Sequence, residues 1–303
     1  MPEHAPEPPA SALFDAQRSA EIVAGSFAAT PDPRLRRLLT SLVEHLHAFA
    51  KDVELTPQEW QRAVEFLTET GQTCTGTRQE FILLSDVLGL SMLVDTLAHD
   101  SGEQVTESTV EGPFHVVDSP PRERGDHIDL VGGGEPCLVT GQVVDPEGRP
   151  VADAAVDVWQ ADDEGFYDVQ RPGELPEGHL RGLFRTDAEG RFWFRSIVPR
   201  HYPIPDDGPV GRLLDATGRH PYRPAHVHFE ISAPGMRTLT THVFVAGTPY
   251  LDSDAVFGVK PGLVHEFSTV DDPERAARVG LANPFRHVDF PVTLDRLGPG
   301  DQR

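Results

Sequence analysis

The sequence predicts a mainly β protein, an antiparallel β-sandwich preceded by an α-helical domain. Three observations lead there. The 303 residues include 27 glycines and 28 prolines, many for a helical protein and well suited to numerous turns between short strands. Apolar residues recur at intervals of three and four up to about residue 100, then alternate after residue 137. Turn signals punctuate the second half, at Asp145-Pro146-Glu147-Gly148, Asp187-Ala188-Glu189-Gly190 and Pro234-Gly235.

In order along the chain, residues 1–10 (MPEHAPEPPA) are proline-rich and acidic and are expected to be a disordered tail. Residues 11–105 form the helical domain. Leu35, Leu38, Leu39, Leu42, Val43 and Leu46 mark one apolar stripe. Thr56-Pro57-Gln58-Glu59 reads as a capping box with proline in the first turn, and that helix carries Trp60, Val64 and Leu67, with Gly71 as its stop. A third helix is expected over about Thr77 to His99, apolar nearly all round, with Asp86 in its middle. Residues 106–136 lose the helical period and form a connecting segment, in which Thr109 to Phe114 makes a tight loop. Residues 137–303 form the sandwich. Its expected strands are Leu138 to Val144, Ala152 to Gln160, Arg191 to Val198, His226 to Ala233 and Thr238 to Ala246.

The net charge of −22 argues against nucleic acid and anionic membranes as partners. No apolar run is long enough to span a bilayer, and the start lacks the pattern of a signal peptide. Two cysteines, Cys74 and Cys137, make neither a disulfide framework nor a thiolate zinc site, which points to the cytoplasm. There is no internal repeat and no glycine-rich phosphate loop after a strand.

The chemistry concentrates in Tyr222-Arg223-Pro224-Ala225-His226-Val227-His228-Phe229-Glu230-Ile231. Pro224 brings the chain in extended. Alternation then puts His226, His228 and Glu230 on one face and Val227, Phe229 and Ile231 on the other. Two imidazoles side by side can hold a metal ion, or they can be polar residues on a solvent face. Of four tyrosines, Tyr167 follows Val158 to Phe166 just past a strand end, and Tyr202 lies in Pro199-Arg200-His201-Tyr202-Pro203-Ile204-Pro205. Read alone, each is a loop aromatic packed on the sandwich edge.

In combination, Asp157-Val158-Trp159-Gln160-Ala161 with Gly165-Phe166-Tyr167, Leu183-Phe184-Arg185-Thr186-Asp187, Tyr202, Gly218-Arg219-His220, Arg223 to His228, Ser232-Ala233-Pro234-Gly235 and Leu239-Thr240-Thr241 resemble the intradiol ring-cleaving dioxygenases. The resemblance spans about Ser11 to Leu294. It implies one Fe3+ per subunit, held by Tyr167, Tyr202, His226 and His228 with a hydroxide. Two phenolates and one hydroxide balance three positive charges, so such a site can be buried, and the cation lowers the tyrosine pKa from about 10. It further implies that a diol chelates iron through both oxygens, that Tyr202 leaves the metal and with hydroxide takes up two protons, and that O2 opens the ring between the hydroxylated carbons to a muconate. Arg223 is expected to stabilise negative charge developing on the substrate.

Tyr202 to Gly211, Thr241-His242-Val243-Phe244, Leu251 to Lys260 and Leu83-Leu84-Ser85-Asp86 resemble the hydroxyquinol-cleaving branch. Its triol has one hydroxyl more than catechol, and reading that hydroxyl takes a polar partner. Asp86 is the expected acceptor, with Leu83, Val110, Gly112, Pro113, Ile204, Pro205 and Val256 walling the ring and His242 contacting or supporting the pocket. Glu111 stands where the family leads one to expect a larger apolar residue. The helical domain resembles the family's dimerisation module, which implies a homodimer with a phospholipid or fatty-acyl chain between its helical layers. Catechol or chlorocatechol 1,2-dioxygenation is the alternative within the fold. A non-catalytic binding sandwich is the alternative outside it. A zinc hydrolase is disfavoured, since no third ligand has zincin spacing.

Overall fold

The structure, a computed structural model, describes residues 13–76, 78–99 and 105–298. The tail expected at residues 1–10 lies outside the described residues. The chain divides into two compact units, with the break between Glu69 and Thr70.

The first unit is helical, with α1 (Ser19–Gly25), α2 (Pro33–Asp52) and most of α3 (Pro57–Thr73). Helix α2 starts where the Asp32 carboxylate accepts the amides of Arg34 and Leu35, at 2.8 and 3.2 Å. Helix α3 has the expected capping box. Thr56 N–H donates to the Glu59 carboxylate (2.9 Å) and Glu59 N–H donates to Thr56 Oγ1 (3.3 Å). Along α2, Leu35, Leu38, Leu42, Leu46 and Phe49 remain 45–54% exposed, so its apolar stripe is not covered.

In the second unit α3 runs on to Thr73, past the stop expected at Gly71. A β-carbon at Gly71 would lie in ordinary contact, 3.4 Å from the Phe81 ring, so this glycine sits inside the helix rather than ending it. The single helix expected over Thr77 to His99 is two, α4 (Glu80–Val87) and α5 (Leu90–Ala98), bent by 80° at Gly89. Gly89 has φ +72°, a left-handed conformation that costs glycine little. No single helix among the described residues is long and apolar enough to cross a membrane. Both α4 and α5 are tied to the sandwich loops. Val210 N–H donates to Glu80 Oε1, Arg219 donates to Val87 O, and Ser108 Oγ–H donates to Asp95. These bonds group α4 and α5 with the sandwich in the second unit.

The strands are β1 (Pro136–Val144), β2 (Ala155–Gln160), β3 (Arg181–Arg185), β4 (Arg191–Ile197), β5 (Tyr202–Pro203), β6 (Tyr222–Arg223), β7 (His226–Ser232), β8 (Leu239–Val245), β9 (Val264–His265), β10 (Ser268–Val270) and β11 (Phe285–Thr293). Helices α6 (Pro209–Ala216) and α7 (Pro273–Val279) sit in the connections. One sheet runs β3-β2-β7-β8-β9, the other β10-β11-β1-β4, and β5 pairs with β6. Most pairs are antiparallel, as expected, but β1 with β11 and β8 with β9 are parallel. Strands β1 and β11 come from opposite ends of the domain, so no hairpin dictates their direction.

The core lies between the sheets. Val156, Val158, Val227, Phe229, Ile231 and Val243 from one sheet meet Val139, Phe192, Phe194, Phe290 and Val292 from the other, all essentially buried. Phe184 stacks on Phe194 at 5.2 Å and Phe229 meets Phe290 at 5.1 Å. Each such side chain contributes roughly 1.5–3 kcal/mol by burial. The other face of the first sheet carries the polar residues. Trp159, His228 and His242 lie abreast across β2, β7 and β8, as do Asp157, Glu230 and Thr240. Residues 107–116 reach this face, anchored by the Thr109 N–H donating to Thr240 O at 2.9 Å.

Candidate metal centre

The structure brings Tyr167, Tyr202, His226 and His228 together, each 1% exposed. The Nε2 atoms of His226 and His228 are 2.9 Å apart. Tyr167 Oη is 3.1 Å from His228 Nε2, and Tyr202 Oη is 3.4 Å from His226 Nε2. Strand β7 supplies both imidazoles because its residues alternate. Tyr167 follows a turn that Asp162 builds, its carboxylate accepting the amides of Glu164 and Phe166, each at 2.9 Å. Gly165, at φ +93° in that turn, leaves no room for a side chain, since a β-carbon there would sit 3.0 Å from His201 O. Tyr202 is held by the β5–β6 pair, which sets it directly opposite Arg223.

The donor set fits a metal ion. His226 Nδ1 lies 2.7 Å from Pro224 O, which can only accept, so Nδ1 carries the proton and Nε2 has a free lone pair. Burial, then the nearby Arg223 charge, pushes the His226 pKa well below the ordinary value. Burial, followed by His242 and His226, does the same for His228. Both rings are therefore neutral at neutral pH. Burial drives the Tyr167 phenol well above its usual range, and Tyr202 reinforces this. Tyr202 is also raised by burial, with Arg223 pulling the other way. Two phenols converging with two neutral imidazoles in a dry site ionise together only around a cation.

Arg223 is fully buried and paired with Asp254, Nε to Oδ1 at 3.1 Å and Nη2 to Oδ2 at 3.2 Å. Burial works against its charge, but Asp254 and the two tyrosines hold it protonated. Asp254 also accepts the amides of Val256 and Gly258. Sequence reasoning gave this aspartate no role. Phe114 stacks on Tyr167 (4.6 Å) and Trp159 on His228 (4.7 Å), fixing both rings from behind. A β-carbon at Gly112, φ +80°, would come 3.2 Å from His228 Cε1, so glycine lets residues 109–113 lie against this ring.

Of the expected pocket residues, Leu83, Pro113 and Pro205 line one cleft of about 690 Å³, together with Phe114 and Gln170. Ile204 and Val256 are buried, and Val256 adjoins Asp254. Val110 continues from Thr109 along the segment that crosses the sheet. Asp86 is buried, and burial raises its pKa, opposed first by a hydrogen bond with Ser91 and then by the Arg223 charge. His242 has both ring nitrogens engaged by protein groups, His228 and Thr109.

Glu111 turns to His115, its carboxylate 2.5 Å from Nδ1, while His115 Nε2 faces Asp157 at 3.4 Å. Asp157 and then Glu111 raise the His115 pKa to about 9. A raised histidine stabilises the fold fully below its free pKa of about 6.5 and loses that contribution as pH rises through about 9. Unfolding free energy should therefore fall between these pH values by on the order of 2 kcal/mol, discounted because Glu111 is half exposed. Denaturant titrations at pH 6 and pH 9.5 should show the fall in the parent and a smaller one in Glu111→Leu. A parent with no fall would contradict the pairing.

A β-sandwich carrying four buried oxygen and nitrogen donors around one point defines a candidate site for a single metal ion. Comparison with known proteins gives the family. The Dioxygenase profile matches residues 110–295 and the Catechol dioxygenase N terminus profile matches residues 32–106. The chain is 52% identical to hydroxyquinol 1,2-dioxygenase of Rhizobium sp. (strain MTP-10005), over 93% of this chain and 96% of that protein. It is 53% identical to 6-chlorohydroxyquinol 1,2-dioxygenase of Cupriavidus pinatubonensis, over 84% and 92%. The crystal structure of hydroxyquinol 1,2-dioxygenase from Pseudomonas putida DLL-E4 superposes with a TM-score of 0.86 at 46% identity, covering 93% of this chain and 99% of that one. The chain belongs to the intradiol ring-cleavage dioxygenases, an iron-dependent family.

Proposed function

We propose that the protein opens hydroxyquinol (benzene-1,2,4-triol) with O2 between its adjacent hydroxylated carbons, giving 3-hydroxy-cis,cis-muconate or its tautomer maleylacetate. The observation that carries this is the convergence of Tyr167, Tyr202, His226 and His228 in one buried cluster. Names of relatives at about 50% identity support the triol as substrate.

These four residues would hold one Fe3+ per subunit. When bound, the iron supplies the electronic coupling that lets a chelated diol react with O2. The protein's own groups do the rest. Tyr202 is the base for one diol proton, taken at Oη, because the short β5–β6 ladder holds it from one side only. Arg223, directly opposite, keeps its charge and steadies the anionic ring. His226 and His228 stay neutral and fixed. Leu83, Pro113 and Pro205, with Val110, Gly112, Ile204 and Val256, exclude water from the ring, and Asp86 accepts the hydrogen bond of the extra hydroxyl. The apolar stripe of α2 supports a homodimer joined through the helical domain, with a phospholipid or fatty-acyl chain between the layers. The free cysteines suit the cytoplasm.

Oxygen uptake with hydroxyquinol, catechol and a chlorocatechol tests the substrate. Hydroxyquinol should give the highest kcat/KM. In Asp86→Ala its advantage over catechol should shrink roughly 10-fold, the worth of one hydrogen bond to a charged group. An unchanged ratio would remove Asp86 from the reading of the third hydroxyl.

A further inference from the structure

We infer that His242, held by Thr109, is a positioning residue that decides which ring nitrogen of His228 carries the proton. The inference rests on the proposed iron site. His242 Nε2 lies 2.7 Å from His228 Nδ1, and His242 Nδ1 lies 2.5 Å from Thr109 Oγ1. His242 is fully buried, and the rings of His226, His228 and Phe244 crowd it at 4.2–5.2 Å.

A ligand histidine usually donates its second N–H to a carboxylate or carbonyl, which can only accept. His226 follows that rule through Pro224 O. His228 does not. Its partner is another imidazole, which can equally donate or accept. Two neutral arrangements of the chain are open. In one, Thr109 donates to His242, His242 donates to His228 Nδ1, and the His228 proton sits on Nε2, aimed at His226 and Tyr167. In the other, His228 Nδ1–H donates to His242 Nε2, His242 Nδ1–H donates to Thr109 Oγ1, and His228 Nε2 offers a lone pair. Only the second makes His228 a ligand. It needs another outlet for the Thr109 hydroxyl proton, and Val110 O supplies one at 3.4 Å. Net charge is the same in both, so the choice is one of hydrogen-bond direction, not titration.

Thr109 opens the segment that carries Val110, Gly112 and Pro113 and that packs Gly112 on the same His228 ring. One stretch of chain thus fixes the ligand's tautomer and walls the diol pocket.

The test loads the full-length protein with iron and follows bleaching of its phenolate-to-iron absorption in excess chelator. His242→Leu should lose iron about 10–100-fold faster than the parent. His242→Gln, whose amide oxygen accepts from His228 Nδ1–H, should stay within about threefold. Thr109→Val should lose iron several-fold faster and Thr109→Ser should match the parent. If His242→Leu does not fold, the nearly isosteric Thr109 pair decides alone. Equal loss from His242→Gln and His242→Leu, or a Thr109→Val as slow as the parent, overturns the inference. A parent that takes up no iron overturns the proposed function along with it, whereas a coloured parent with unaffected variants sinks the inference alone.

Discussion

Tyr167→Phe should purify without the reddish phenolate-to-iron colour and turn hydroxyquinol over at least about 10³-fold more slowly. The substitution deletes one oxygen and keeps the ring, so the Phe114 stack at 4.6 Å survives. At the proposed iron site, what would disappear is an anionic ligand, leaving two neutral imidazoles and one phenolate to hold the cation. Metal stabilisation of reacting charge is worth several kcal/mol, and about 4 kcal/mol corresponds to roughly 10³ in rate. Burial of Tyr167 makes its phenolate unfavourable without a cation, so the iron-free variant should unfold close to the midpoint of the iron-free parent. Visible absorption, iron content and oxygen uptake check the three parts separately. A variant that keeps its colour and iron would remove Tyr167 from the donor set.

Arg223→Met should lower kcat by about 10²–10³ and destabilise the protein by about 3–5 kcal/mol. The two losses have different origins. The kinetic loss comes from removing a fixed positive charge opposite Tyr202. The stability loss comes from leaving the Asp254 side chain at 5% exposure without its ion-pair partner. The double variant Arg223→Met/Asp254→Asn separates them. It removes the orphaned charge and keeps one carbonyl oxygen, which can accept from the amide of Val256 (at Oδ1) or of Gly258 (at Oδ2) but not from both, so it should regain part of the stability and none of the activity. Recovery of activity in the double variant would mean that Arg223 serves the fold and not the reaction.

Sequence and structure agree where a local rule was enough. The capping box at Thr56, the alternation of β7 and the two-layer sandwich were all legible because neighbouring residues encode them. The two imidazoles were legible for the same reason. Tyr167 was not, since it lies 61 residues from His228 and no local pattern tells a loop tyrosine that it meets a strand; only the family resemblance singled it out. Asp254 and Thr109 were given no role of their own because their partners are 31 and 133 residues away. The break at Gly89 was hidden by a run apolar on every side, where periodicity cannot register a change of axis. The parallel pairing of β1 with β11 was equally silent, because alternation specifies a strand's faces and not its neighbour.

Strand β7 is at once foundation and instrument, and this constrains how the protein can change. Gaining or losing one residue within it would exchange its two sides, sending imidazoles into the greasy interior and presenting Val227 or Phe229 where donors belong. Stability and chemistry would fail in the same stroke. Novelty in this architecture therefore has to be written in the flanking loops, while the strand itself can vary only in place, one side chain at a time.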